Sequence, residues 1–156
     1  MKSSGLSARR SLVGGVLLSV VFTVSACSDN SPTTPAAAPL SLTGNWATTI
    51  TFADISARMT WQLTQTGTNV SGPVLVSVPS GTVLLNGFLN GTLNGSSLDY
   101  TITVAPGGIP NQTGCGGQLK GTMTATQTTL AGSLGVASSN CTVPLATNTI
   151  SMTKSS

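Results

Sequence analysis

Side chains able to do acid–base or nucleophilic chemistry are scarce in these 156 residues. There is no His, and the only carboxylates are Asp29, Asp54 and Asp99. Without His a Ser-His-Asp triad cannot form, and general acid–base work would fall to isolated aspartates. Asp54 lies in Ala53-Asp54-Ile55-Ser56, which reads as a turn, where Asp is a frequent turn former. Asp99 alternates to the outward side of a strand-like segment. The three cysteines, Cys27, Cys115 and Cys141, have neither a C-x-x-C spacing nor a His to complete a redox or zinc set. There is no G-x-S-x-G. Gly107-Gly108 and Gly116-Gly117 are followed by no helical segment that would make them a phosphate loop. The expectation is a protein that is not an enzyme, with no catalytic residue, metal or cofactor.

The elements around these residues begin with an export signal. Lys2, Arg9 and Arg10 form a basic head, and Leu12 to Val24 run apolar, broken only by small residues. A basic head before a short apolar stretch reads as a secretory signal, too short to span a bilayer comfortably. It ends in Val24-Ser25-Ala26-Cys27, which resembles the bacterial lipobox: an aliphatic residue, two small ones and a cysteine. The resemblance implies that Cys27 carries a diacylglycerol on its sulfur, that cleavage occurs before it, and that its new amine is acylated. Each buried methylene of such chains contributes about 0.8 kcal/mol, so several chains together anchor stably. The expected place is the bacterial cell envelope, lipid-anchored and extracytoplasmic. Ser28 follows, where an Asp would mark inner-membrane retention in the enterobacterial pattern, which points to the outer membrane. Residues 1–26 are then the signal peptide. Residues 27–39 are a lipidated Cys and a Pro/Ala/Ser/Thr-rich linker with Pro32, Pro35 and Pro39. Residues 40–156 are the folded domain.

The net charge of +3 comes from Lys2, Arg9 and Arg10 in the signal. Beyond it, Arg58, Lys120 and Lys154 balance Asp29, Asp54 and Asp99. With no cluster of cations to displace counterions, nucleic acid is excluded as a partner. Charged residues are 6% of the chain, against about 25% in typical domains, so Thr, Ser, Asn and Gln must hydrate the surface.

From Leu40 onward apolar and polar residues alternate with period two, punctuated by Gly, Asn, Ser and Thr, the pattern of short antiparallel strands. Trp46, Thr48, Ile50 and Phe52 share one face of a first strand, and Met59, Trp61 and Leu63 one face of a second. Thr66-Gly67-Thr68-Asn69 and Asn94-Gly95 are hairpin turns. A third strand carries Val74, Val76 and Val78. A fourth places Leu85, Leu89 and Leu93 opposite Asn86, Phe88, Asn90 and Thr92. Leu98, Tyr100, Ile102 and Val104 face inward on a fifth, Leu119 and Met123 on a sixth, Leu130, Leu134 and Val136 on a seventh, and Ile150 and Met152 on an eighth. Gly87, Gly91, Gly121 and Gly132 fall at inward positions, where glycine lets strands coil tightly. The fold class is all-β, a single eight-stranded antiparallel up-and-down barrel, with a β-sandwich as the alternative.

Export to an oxidising compartment leaves Cys115 and Cys141 as an even pair, for which a disulfide is expected. They flank the sixth and seventh strands at similar distances from the turn at 126–129. The cysteines match one register of that hairpin, and the inward apolar residues match a register shifted by one. A bulge, or cysteines in flexible loops, would reconcile the two.

Leu42-Thr43-Gly44-Asn45-Trp46 resembles the G-x-W opening of the calycin barrels: lipocalins, avidins and the small bacterial metalloprotease inhibitors. The resemblance implies that Gly44 and Trp46 pack across one barrel end. It does not extend to the several tryptophans of an avidin biotin site, since only Trp46 and Trp61 are present. Two functions remain open. One is a non-catalytic, inhibitor-like interaction module that meets a protein partner through its loops at 79–81, 105–117 and 138–148. The other is a carrier of a small apolar ligand or lipid, with Phe52, Trp61, Tyr100 and Met123 as interior contacts. Besides such a partner or ligand, the membrane is engaged through the lipid anchor.

Overall fold

The computed structural model describes residues 38–52, 55–110, 112–142 and 148–155. The signal, Cys27, most of the linker and Asp54 lie outside the described residues. Eight strands follow one another: β1 (Gly44–Phe52), β2 (Ile55–Thr66), β3 (Asn69–Ser77), β4 (Val83–Asn94), β5 (Ser97–Val104), β6 (Gly117–Ala125), β7 (Thr129–Ser139) and β8 (Asn148–Ser155). Each pairs antiparallel with the next, and β8 returns to β1, so the sheet is one closed up-and-down barrel and not a sandwich.

Strict alternation makes the wall one-sided. In β5, Leu98, Tyr100, Ile102 and Val104 are buried, while Asp99 and Thr103 are exposed. In β2, Ala57, Met59, Trp61 and Leu63 are buried between polar neighbours. Eight strands enclose a space just wide enough for side chains to fill. Here Trp46, Trp61, Met59, Leu89, Ile102 and Met123 occupy it, each essentially inaccessible to water. Glycine is required where a ring crosses the wall. A Cβ on Gly121 would collide with the Ser133 carbonyl and come within 2.7 Å of the Tyr100 hydroxyl.

The two ends differ. At the end where β1 starts, short turns carry the chain from β2 to β3, β4 to β5 and β6 to β7. Each turn is tied to the next hairpin. Leu93 N donates to Thr68 O (2.8 Å), Ala125 N to Ser96 O (2.7 Å) and Lys154 N to Thr128 O (2.9 Å). The opposite end carries the longer loops.

The structure corrects two local expectations. Ile55 and Ser56 belong to β2 and not to a turn, because β1 and β2 pair in one unbroken register from Gly44↔Leu63 to Phe52↔Ile55. Val136 is 38% exposed and not core. It lies beyond Leu134↔Asn148, the last β7–β8 pair, so no strand covers that side of it among the described residues.

Candidate functional site

The end that opens with Gly44 is closed from three directions. Trp46 is fully buried, and its indole Nε1 donates to the Leu42 carbonyl at 2.8 Å. Lys154 reaches from β8 with its ammonium 5.4 Å from the Trp46 ring centroid, and donates to the Ser41 carbonyl at 3.0 Å. A cation over an indole face is attracted by the ring quadrupole. Gly44 adopts φ +137°, and a Cβ there would lie 2.8 Å from Lys154 Cε. Glycine thus serves both the backbone conformation and the passage of the lysine. Residues 39–43 are lashed across this end by amides: Leu42 N donates to Gln65 Oε1 (2.8 Å), and Gln127 Nε2 to the Pro39 carbonyl (3.0 Å). Sequence reading missed Lys154 and Gln65. Lys154 had a signal, since it falls in phase with buried Ile150 and Met152.

Of the interior contact residues, Trp61 and Tyr100 meet edge to face, with centroids 5.1 Å apart and planes at 60°. The Tyr100 hydroxyl passes Gly121 and donates to the Ser133 carbonyl at 2.8 Å. Burial pushes this phenol well above its ordinary value of 10.0. Met123 is buried in the same core. Trp61 Nε1 is buried with no hydrogen-bond partner among the described residues. Phe52 pairs through its backbone with Ile55 at the far end of β1, and its side chain lies outside the described residues.

At the loop end, the segment after β5 folds over the opening. Ile109 and Cys115 are buried, and Asn86 N donates to the Gly108 carbonyl at 2.7 Å. Cys115 is joined to Cys141 by a disulfide, with Cα atoms 5.6 Å apart. Asn140 braces it: Gly116 N donates to its Oδ1 (2.8 Å) and its Nδ2 donates to the Gly114 carbonyl (2.9 Å). The register conflict is absorbed by a bulge. Gly117↔Ser139 and Gln118↔Ser138 give way to Leu119↔Val136, which leaves Ala137 unpaired. Under this loop, between Leu85, Val104, Ile109 and Leu119, a space of about 10 Å³ remains, room for about one water and no larger molecule. Of the other loops, the turn at 79–81 is closed by Gly81 N donating to the Val78 carbonyl (2.9 Å). Residues 143–147 of the last one lie outside the described residues.

A broad concavity of about 790 Å³ lies on the outer wall and crosses β3 to β7. Outward side chains pair across the strands in rows. Ser71, Asn90, Thr101 and Lys120 form one; Asn69, Thr92, Asp99 and Thr122 form the next. Thr122 Oγ1 donates to Asp99 Oδ1 at 2.6 Å, and Thr122 N to Ser133 Oγ at 3.2 Å. In the row beyond, Phe88 stands opposite Pro73 and is 46% exposed. Among the described residues no three His, Cys, Asp or Glu side chains form a group that could hold a metal ion. Compared with known protein families, with characterised proteins and with solved structures, the chain finds no match in any of the three.

Proposed function

We propose that the chain is an envelope lipoprotein, exported by residues 1–26 and anchored through Cys27 at the outer membrane, whose calycin-like barrel is a non-catalytic binding module. The observation that carries this reading is the state of the barrel's interior. The apolar residues that could have lined a ligand cavity, Trp61, Tyr100 and Met123 among them, are packed against one another. One end is covered by Leu42 and Trp46, and the other by Ile109 and Cys115. A partner is therefore met on the outer surface, by the wall or the loops, and a carrier of apolar ligands would first have to empty its own core. The scarcity of general acids and bases among the folded residues supports a binding role over a catalytic one.

The test uses the native lipoprotein extracted from its envelope. Acyl groups should be found on Cys27, and Cys27→Ser should abolish acyl labelling and release the protein. Native mass spectrometry should find no stoichiometric apolar molecule beyond the anchor. A tightly bound fatty acid or other apolar metabolite would overturn the module reading in favour of a carrier. Acyl labelling that survived Cys27→Ser would overturn the anchor.

A further inference from the structure

We propose that the groove across β3–β7 is a binding site for a neutral glycan chain. The proposal rests on the binding-module reading above and names its ligand class.

The groove begins with small residues on the inside of the wall. Gly91 and Gly121 flank Tyr100 as its direct partners on β4 and β6. With no side chains of their own, they let the three strands coil tightly, and the outer surface there is concave. The concavity touches five adjacent strands. At about 4.8 Å between strands it runs roughly 19 Å across the wall, the length of a short oligosaccharide and not of one small metabolite.

Its chemistry is amides and hydroxyls. Asn90 and Thr101 stand side by side at its centre, with Ser71 on one side and Thr92 and Thr122 in the next row. Amides and hydroxyls both donate and accept, as sugar hydroxyls do. Asp99 and Lys120 contribute one charge of each sign, so the groove has no net field to select an anion or a cation. Asp99 is held by Thr122 through Oδ1, and its Oδ2 has no hydrogen-bond partner among the described residues. It offers an acceptor fixed in place before a ligand arrives. A nucleic acid would need a run of cations, and a peptide anchor would need a desolvated apolar pocket; the rows supply neither. The aromatic element is Phe88, which stands one row beyond the residues that line the groove, two residues before Asn90 on the same outward side of β4, with Pro73 opposite it and exposed Leu75 in the row after. An exposed ring one row beyond a hydroxyl-rich groove gives the C–H face of a sugar chain that extends past it an apolar surface to lie on.

The experiment is an amide-shift titration of the full-length lipoprotein in detergent micelles. The probes are cellohexaose, chitohexaose and maltohexaose, with a heparin-derived hexasaccharide as the anionic comparison. At least one neutral hexasaccharide should saturate and shift the amides of Asn90, Thr101 and Thr122. Asn90→Ala and Phe88→Ala should each weaken that binding about tenfold or more, whereas Thr49→Ala, outside the groove, should leave it unchanged. Asn90 and Phe88 are outward-facing, so circular dichroism of both variants should match the parent. The proposal is overturned if no neutral probe moves the groove amides at millimolar concentration, if the shifts fall elsewhere, if the anionic hexasaccharide binds more tightly, or if both groove variants bind like the parent. An apolar ligand inside the barrel would instead remove the module reading itself, so the two failures are distinguishable.

Discussion

Tyr100 is the single tyrosine of the chain, which makes its buried hydroxyl separately observable. Its folded-state value is raised by burial above the ordinary 10.0. The folded protein holds this proton more tightly than the unfolded chain does. The stability it contributes is therefore fully present below pH 10 and declines as pH rises from there toward the folded value, by up to about 1.4 kcal/mol per pH unit. Ultraviolet titration should show no phenolate until the protein unfolds. Urea unfolding at rising alkaline pH should lose this component in the parent and not in Tyr100→Phe. The two tryptophans make a second comparison, since they are cross-strand partners with opposite hydrogen-bond status. Trp46→Phe strands the buried Leu42 carbonyl, whereas Trp61→Phe removes an N–H that had no partner. Trp46→Phe should cost more than Trp61→Phe by about 1–3 kcal/mol in urea unfolding; equal costs would contradict the assignment. Trp46 was legible because it opens an alternating strand beside Gly44. The unpaired Trp61 indole was not, because alternation says which face a residue takes and nothing about what its polar atom meets there.

At the scale of the element, the β6–β7 hairpin combines two registers. Alternation showed both and their conflict, and named a bulge as one remedy. Its position at Ala137 was not legible, because Ala is neutral in the pattern and Val136 reads as core. Deleting Ala137 should remove the bulge without breaking either register, because Ser138 would follow Val136 directly and keep its pairing with Gln118, and Ser139 its pairing with Gly117. Alkylation without reductant, read by intact mass, should then find no free thiol at 115 and 141 in a chain that keeps its strand signal by circular dichroism. Free thiols in the folded deletion variant would show that the extra residue is needed to bring the cysteines together. Cys141→Ser in the parent should cost about 3.5 kcal/mol, the chain-entropy value for a loop spanning a separation of 26 residues. The first hairpin was misread for a related reason: Asp54 marks a turn but not its length, so a connection over 53–56 was expected where pairing continues to Phe52↔Ile55.

For the whole molecule, strand number, order and facing were legible because a period of two and the Gly and Asn turns repeat with little interruption. Closure followed from the need to remove sheet edges. The outer groove was not legible, because its residues belong to four different hairpins and become neighbours only once the wall curves. The closing seam was hidden too: among the described residues β1 and β8 pair at Asn45↔Ser155, Trp46↔Lys154 and Ala47↔Thr153. That seam has a consequence for how the gene could be written. Residues 45 and 155 already face each other across it, and segment 39–43 lies over the same end. Joining residue 155 to residue 38 and cutting the chain at the turn 79–81 would give a circular permutant with every strand in its present place. Residues 39–43 would then become an ordinary connection from β8 to β1. In a ring of hairpins, no strand is first in space.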